Sequence, residues 1–269
     1  MDRRYPLKYK RDLPDQRDLF LKVPWYRKLK LTESDLRTKK ITTFSVLSPI
    51  SDQNDLGSCT AHAVGDGCFE YIWRLQQLPI YGDTKDTNFS RLFLYYWTRY
   101  LEHTVNVDSG ASLRDTCKAL AKYGICHENL YPYDETKFTN KPSITAITDG
   151  NKHKPATYYK ITSLNDMSAC LSQGYPFACG IVAYDQIFDV DKNHPFIELP
   201  GKKDAPAGGH AICIIGLTQI NSKWFFIMRN SWGTDWGMNG YAYISTDYLS
   251  NWNLSVDFWT LRGPCTGPV

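Results

Sequence analysis

The spacing of apolar residues changes near the middle of this chain. In the first half they recur every three or four residues, as Val64, Cys68 and Ile72 do, which is the pattern of one helix face. In the second half, short apolar runs such as 210–217 and 223–229 are separated by glycine, proline and asparagine, which indicates strands. A helical half followed by a strand-rich half predicts an α+β fold of two lobes.

The boundaries of these elements follow from capping residues and turn residues. Ser58 is a favourable helix N-cap, and Gly124 is suited to end a helix. The predicted helices cover 59–77, 90–102, 113–123 and 164–173. The predicted strands cover 157–161, 177–182, 210–217, 223–229 and 241–245. Loops are predicted over 79–90 and 185–207, and an irregular segment over 134–157.

Composition and charge divide the chain further. At 269 residues and 42% hydrophobic, it can bury a large core, and no apolar run approaches the roughly 20 residues of a membrane span. Residues 1–40 carry 13 Lys or Arg against 6 Asp or Glu. We therefore predict a basic N-terminal arm over 1–40, a helical lobe over 41–150 and a β-rich lobe over 151–269.

The basic arm allows more than one partner. It could bind nucleic acid or an anionic membrane, or it could lie on its own body. Apolar residues within it, among them Leu19, Phe20 and Trp25, favour docking on the body, since a solvated nucleic-acid tail would not need them. We expect no nucleic-acid partner.

Four residue positions carry the chemistry. Gln53 lies six residues before Cys59, and a glycine pair leads into His210, which is followed twenty residues later by Asn230. A thiol, an imidazole that takes its proton, an amide that orients the imidazole and a second amide for an oxyanion are what acyl transfer by cysteine requires. Each residue alone would commonly have only a structural role, but the combination predicts a cysteine nucleophile.

The strands that follow His210 supply a geometric expectation. If 210–217 pairs with 223–230 around a five-residue turn, Leu217 lies opposite Lys223 and His210 opposite Asn230. Directly opposed residues lie about 4.5–5.5 Å apart, within reach of a hydrogen bond between side chains. Asn230 would then accept the imidazole N–H and select its tautomer.

Cys59 is expected in the first turn of its helix, where the dipole and unpaired N–H groups favour an anion. Beside an imidazolium, this position predicts a thiol pKa below its ordinary value. The Cys59 N–H and the Gln53 amide are the two expected oxyanion donors. His62 lies one turn along the same helix and is expected to have a surface or core role.

Other residues give weaker signals. Of the eight cysteines, Cys117/Cys126 and Cys170/Cys179 are each nine apart and could form bridges, but buried thiols are the favoured interpretation. No Cys-x-x-Cys occurs. The remaining histidines show no ligand-like spacing, so no metal, nucleotide or haem cofactor is predicted.

Taken together, these motifs resemble the papain-like cysteine peptidases. The matching residues are Gln53, Gly57-Ser58-Cys59, His210-Ala211, Asn230-Ser231-Trp232-Gly233, Trp236-Gly237 and Gly240-Tyr241. The resemblance implies a helical lobe and an antiparallel β-barrel-like lobe with the active-site cleft between them. It also implies that Cys59 is the nucleophile, His210 the acid/base, Asn230 the orienting residue and Gln53 the oxyanion donor.

The same resemblance implies residues that bind the substrate. Trp232 would shield the His–Asn hydrogen bond, and Gly110 would pair with an extended peptide backbone. Ala111, Gly180 and Ala211 would line a roomy, apolar specificity pocket. Substrates would be peptides or proteins.

The chain also departs from the family pattern. Thr60 follows the nucleophile where Trp is usual, and Leu56 stands where a disulfide cysteine is usual. The start of the chain has no apolar segment typical of a secretory signal, which favours a reducing compartment or a virion over secretion. The run Arg11–Asp18 resembles the short N-terminal segment of relatives without a signal peptide. We therefore expect the 1–40 arm to cover the cleft, as in a zymogen.

Two other activities are compatible with these motifs. A papain-like fold can serve as a non-catalytic binding protein, and the same acyl-enzyme can be transferred to an amine by a transpeptidase or ligase. Labelling by a thiol-directed peptidyl electrophile separates the enzyme from the binding protein, and product analysis with an added amine separates hydrolase from ligase.

Overall fold

The computed structural model describes residues 5–22, 41–42, 47–81 and 88–263. The first helix of these described residues, α1, is made of three consecutive segments, Cys59–Ala61, His62–Phe69 and Glu70–Tyr81. The helices that follow are α2 Arg91–Leu101, α3 Leu113–Tyr123, α4 Ile144–Gly150, α5 Leu164–Ser172 and α6 Thr246–Ser250. Within the described residues no helix is long and apolar enough to cross a bilayer.

The strands form one large sheet and one small one. Their bounds are β1 Tyr9–Lys10, β2 Ile41–Thr42, β3 Ala111–Ser112, β4 Thr157–Ile161, β5 Phe177–Tyr184, β6 Phe196–Ile197, β7 Pro206–Ile220, β8 Lys223–Arg229, β9 Tyr241–Ser245 and β10 Ser255–Arg262. The eight-stranded sheet has the order β4-β10-β5-β7-β8-β9-β6, with β2 on β7, and β1 pairs with β3 in the small sheet. All pairs are antiparallel except β1–β3 and β6–β9. The α+β prediction is confirmed, but the described strands form an open sheet and no closed barrel.

Serine hydroxyls start five of the helices. At each one the hydroxyl accepts the backbone N–H three residues later, which satisfies a donor that the first turn leaves unpaired. The five are Ser90, Ser112, Ser143, Ser163 and Ser245. At the other end of α3, Gly124 has φ +71°, the left-handed conformation that glycine adopts without steric cost. The local signals of 90–102 and 113–123 therefore predict these helices to within one residue.

The middle of α1 is wound more loosely than an α-helix. The Glu70 N–H donates to the Gly65 carbonyl five residues back, so the segment His62–Phe69 is π-helical. A Cβ at Gly67 would lie 2.5 Å from Cβ of Cys213 on β7. Gly67 therefore permits the close approach of this helix to the sheet, whereas Gly65 faces Leu94 and Ile125.

A buried ion pair joins α1 to the sheet. Arg229, the last residue of β8, contacts Asp66 at 2.8 Å, and both side chains are nearly inaccessible. Ser48 and Ser51 donate further hydrogen bonds to the same carboxylate. Although burial opposes ionisation, Arg229 and the serines lower the pKa of Asp66 below its ordinary value. The pair fixes the helix that begins at Cys59 relative to the strand that ends before Asn230.

Several predicted boundaries need correction. The segment 134–157 was expected to be irregular but contains α4, and α6 and β10 were not predicted. The loop predicted over 79–90 begins later, because α1 continues to Tyr81, and its positions 82–87 lie outside the described residues. The division into lobes at residue 150 stays a prediction.

Candidate active site

His210 and Asn230 are brought together at one end of the sheet. The His210 Nε2 atom lies 2.8 Å from Asn230 Oδ1, and both residues are buried. Because the amide oxygen can only accept, Nε2 carries the proton and Nδ1 has the lone pair. Nδ1 has no hydrogen-bond partner among the described residues. The imidazole is thus held in one tautomer, with its basic nitrogen available.

The predicted contact is confirmed, but the predicted strand register is wrong. Ile220 lies opposite Lys223, so the turn has two residues, Asn221 and Ser222, both with positive φ. A bulge between Ile214 and Gly216 changes the register again, and Cys213 lies opposite Arg229. Asn230 follows the end of β8, from where its side chain reaches His210.

Trp232 covers this pair. Its ring stacks on the His210 ring with centroids 4.8 Å apart and planes 29° apart, and it is 1% exposed. An apolar ring over a hydrogen bond excludes competing water, which strengthens the bond. The shielding role of Trp232 stays a prediction.

Cys59 is the first residue of α1 and is fully buried. Burial raises the pKa of Cys59 to about 12 and outweighs the nearby backbone N–H groups of Ala211 and Thr60, which favour the thiolate. The expected lowering of the pKa is therefore wrong for the chain in this conformation.

Burial acts on the imidazole in the same direction. It lowers the pKa of His210 to about 4, against the opposing effect of the Asn230 hydrogen bond. A thiol with a raised pKa and an imidazole with a lowered one are both neutral at neutral pH. The site is thus held as thiol and imidazole, and not as an ion pair.

Gln53 lies beside the same strand end. Its backbone N–H donates to the Ser231 carbonyl at 2.8 Å, and the Ser231 hydroxyl donates to its Oε1 at 2.7 Å. Oε1 is thereby identified as the acceptor, so Nε2 points the other way and donates to Leu56 O at 2.9 Å and Pro6 O at 3.3 Å. The predicted oxyanion donor is in contact with a carbonyl of the N-terminal arm.

Residues 5–10 of the arm lie over these groups. The Tyr5 ring stacks on Trp232 with centroids 4.8 Å apart and planes 4° apart, and its hydroxyl donates to the Trp232 carbonyl. Lys8 forms a parallel bridge with Gly209, and its ammonium contacts Asp108 at 2.6 Å. A Cβ at Gly110 would overlap the Lys8 carbonyl, so the absence of a side chain there admits the arm backbone.

Tyr9 occupies the predicted specificity pocket. It pairs with Ala111, and a Cβ at Gly180 would overlap its ring. Gly180 in turn lies opposite Ala211 in the sheet. The Tyr9 hydroxyl donates to the carboxylate of Asp257, which was not singled out in the sequence. The pocket is therefore not purely apolar, because a buried carboxylate lies at the end of the ring.

The next part of the arm is anchored to the body. Asp12 accepts hydrogen bonds from the Trp259 indole at 2.7 Å and from the Arg114 backbone at 3.0 Å. Arg114 also binds Asp18 through two charge-assisted hydrogen bonds of 2.5 and 2.7 Å. Burial and the nearby Asp257 raise the pKa of Asp12 to about 6. The arm is thus held by polar contacts downstream of the segment that covers the site.

His62 has the core role expected for it. Its Nδ1 lies 3.1 Å from the Ser58 carbonyl of its own helix, and the residue is buried. The Ser58 hydroxyl does not cap α1 but contacts Tyr133 at 2.6 Å. Cys117, Cys126, Cys170 and Cys179 are buried free thiols, as favoured by the sequence.

Comparison with known proteins gives concordant matches. The family model of the papain family cysteine proteases matches residues 32–255. An uncharacterized peptidase C1-like protein of Acanthamoeba polyphaga mimivirus is 32% identical over 97% of this chain and 88% of its own length. Cysteine proteinase 2 of Entamoeba histolytica is 28% identical over 72% of this chain, which spans 59% of that protein.

Solved structures match over nearly the whole chain. Xylellain, a cysteine protease from Xylella fastidiosa, superposes with a TM-score of 0.82 and 29% identity over 98% of this chain and 99% of its own. The proCathepsin B S9 of Trypanosoma congolense superposes with a TM-score of 0.67 and 16% identity over 96% of this chain and 85% of its own, which shows a shared fold. The expected papain-like α+β fold is confirmed by these likenesses.

Proposed function

The chain belongs to the papain family of cysteine proteases, and from that premise we propose that it hydrolyses peptide bonds through Cys59 and His210. The observation that carries this proposal is the tautomer of His210. Asn230 binds Nε2–H, so the lone pair of Nδ1 is the base, and the first segment of α1, which begins at Cys59, packs against β7, the strand that contains His210.

The reaction proceeds in two steps. Nδ1 takes the thiol proton, the sulfur attacks the scissile carbonyl, and the imidazolium then gives its proton to the leaving amine. Water, deprotonated by the same nitrogen, hydrolyses the thioester. The Cys59 N–H and Gln53 Nε2 stabilise the oxyanion of each tetrahedral intermediate, where one donor typically contributes about 10²–10³ in rate.

The cleft residues bind the substrate in the positions that the arm takes here. Gly110 and Gly209 have no side chain, which lets an extended backbone come close. Tyr9 indicates what the pocket at Gly180 accepts, namely a long side chain with a donor that reaches Asp257. Ala111 and Ala211 line its sides, and Trp232 covers the His–Asn pair.

We further propose that the arm keeps the protease inactive until it is displaced. Residues 5–10 occupy the substrate positions, and Pro6 takes the hydrogen bond of the oxyanion donor. Burial also keeps the thiol and imidazole neutral, so the covered site lacks the thiolate that attacks. The basic arm is thus an intramolecular partner of the cleft.

The test compares peptide-library cleavage by the full chain, by a variant lacking residues 1–10 and by Cys59→Ala. We expect cleavage by the truncated chain, little by the full chain and none by Cys59→Ala. Equal cleavage by full and truncated chains would refute inhibition by the arm, and cleavage by Cys59→Ala would refute the nucleophile. Adding an amine acceptor and analysing the products separates hydrolysis from ligation.

A further inference from the structure

Two histidines and an aspartate of the helical half meet outside the candidate active site. His127 follows α3, Asp149 lies in α4, and His153 comes three residues after α4. The His127 Nδ1 lies 2.9 Å and the His153 Nδ1 3.7 Å from the same oxygen, Asp149 Oδ2. The three ligand-type atoms all lie within 4.8 Å of one another.

Of the three residues, His153 gives the strongest indication of a bound ligand. It is 5% exposed, and its Nδ1 is buried without a hydrogen-bond partner in the described part of the chain. The backbone carbonyl of His153 accepts the Ile125 N–H at 3.1 Å, which fixes the position of the residue. A buried ring nitrogen without a partner in the protein is a place where a ligand can bind.

This nitrogen faces a carboxylate oxygen, Asp149 Oδ2, at 3.7 Å, which is too far for a direct hydrogen bond. The same oxygen accepts the His127 backbone N–H at 3.0 Å and lies 2.9 Å from the His127 ring. A metal cation held between the two rings and the carboxylate would give the His153 nitrogen the partner that the described residues do not supply.

We propose that His127, Asp149 and His153 form a Zn²⁺ site. Two imidazole nitrogens and one carboxylate oxygen are a ligand set that suits zinc, with a fourth position for water. Bonds of about 2.0–2.1 Å place tetrahedral ligands about 3.3 Å apart, close to the two measured separations.

The site would have a structural role. It would join the end of α4 to the segment after α3, whose Cys126 carbonyl accepts the N–H of Ser90 at the start of α2. The His127 side chain is 33% exposed, so the ion can enter from solvent. Binding should therefore stabilise the helical half and does not depend on proteolysis.

The experiment uses full-length Cys59→Ala, which removes the thiol of the candidate active site as a competing ligand. Zinc is titrated calorimetrically, Tm is recorded with and without Zn²⁺, and Co²⁺ is used as a visible-spectrum probe. We expect one ion per chain, a raised Tm and tetrahedral Co²⁺ bands. His127→Gln, at a partly exposed position, should weaken binding by at least about 100-fold, more than loss of an outer hydrogen bond costs.

His194→Gln is the matched control. His194 also faces an aspartate, Asp191 at 3.7 Å, but it is 87% exposed and has no third ligand among the described residues. The His194→Gln substitution should leave the affinity for Zn²⁺ unchanged. No binding below about 1 mM Zn²⁺, or equal affinity in His127→Gln and the parent, would overturn the proposal. Asp149→Asn, whose side chain has nearly the same size and shape, should also abolish the Tm increase that Zn²⁺ causes.

Discussion

Removing residues 1–10 tests whether the arm controls the chemistry of Cys59 as well as access to it. The deletion takes away the segment that contacts Trp232 and Gln53 but keeps Asp12 and Asp18, which anchor the rest of the arm. The body should therefore keep its fold while the cleft opens to water. Reaction of Cys59 with chloroacetamide, a small neutral electrophile, reports the change.

The expected magnitude follows from the pKa of the buried thiol. With the pKa of Cys59 at about 12, the thiolate fraction near pH 7.5 is roughly 10⁻⁴·⁵. If solvation returns the pKa to about 8.5, the fraction rises to roughly 10⁻¹, a gain of about 3,000-fold. A less basic thiolate is less nucleophilic, with a slope of about 0.4–0.5, which removes about 1.5 orders of magnitude. The net increase in rate is about 100-fold, and pairing with His210 or easier access would enlarge it.

The assay follows alkylation at each cysteine by mass spectrometry. Buried Cys117 serves as the internal control, because its rate should not change. Leu13→Ala alters an arm side chain that is 79% exposed and should leave Cys59 unreactive. An increase below about tenfold in a truncated chain with an unchanged circular dichroism spectrum would refute the argument that burial by the arm suppresses the thiolate.

Three more predictions concern single side chains. In the truncated chain, Gln53→Ala should lower kcat for a peptide amide by a factor of about 10²–10³ with a smaller change in KM. An unchanged kcat would contradict the role of Gln53 as oxyanion donor. Arg229→Met leaves Asp66 buried without its cation and should lower the free energy of unfolding by about 3–5 kcal/mol, as measured with urea. Adding Asp66→Asn should restore part of this loss, and a loss under about 1 kcal/mol for Arg229→Met alone would contradict the prediction. Burial lowers the pKa of His62 to about 3, whereas the unfolded ring binds a proton below about 6.5, so its contribution to stability is lost as pH falls through this range. Between about pH 6.5 and 4, the free energy of unfolding of His62→Gln should therefore fall by up to about 3 kcal/mol less than that of the parent. Equal pH dependence of the two proteins in urea unfolding would contradict this prediction.

Local signals predicted the elements that begin or end at a capping residue. The strand over 157–161 matches, and the helix over 113–123 and the strands over 223–229 and 241–245 match because serine, glycine or asparagine marks their ends. The contact between His210 and Asn230 also follows from their spacing, since each lies near one end of a hairpin.

The register of that hairpin could not be predicted from the same residues. The turn region is polar over five positions, and only the backbone conformations of Asn221 and Ser222 reveal that two of them form the turn. The bulge between Ile214 and Gly216 has no local signature in the sequence. The contact forms in spite of the different register because Asn230 lies past the last paired residue of β8, from where its side chain reaches His210.

Features that depend on distant residues were also missed. Asp257 is 248 residues from Tyr9, and His127 is 22 residues from Asp149 on a different element. The raised pKa of Cys59 arises from burial by the assembled chain, whereas the helix start alone indicates the opposite shift. Sequence motifs identify reactive groups, but their protonation depends on which segments cover them.

In the proposed mechanism, the side-chain amide of Gln53 serves both latency and turnover. The proton that it directs at the Pro6 carbonyl is the one that a reacting carbonyl would need. A substitution that makes this donor stronger therefore tightens self-inhibition together with catalysis, and one that weakens it relaxes both. Selection can alter the two properties separately only at sites that a substrate does not touch, such as the Asp12 and Asp18 anchors.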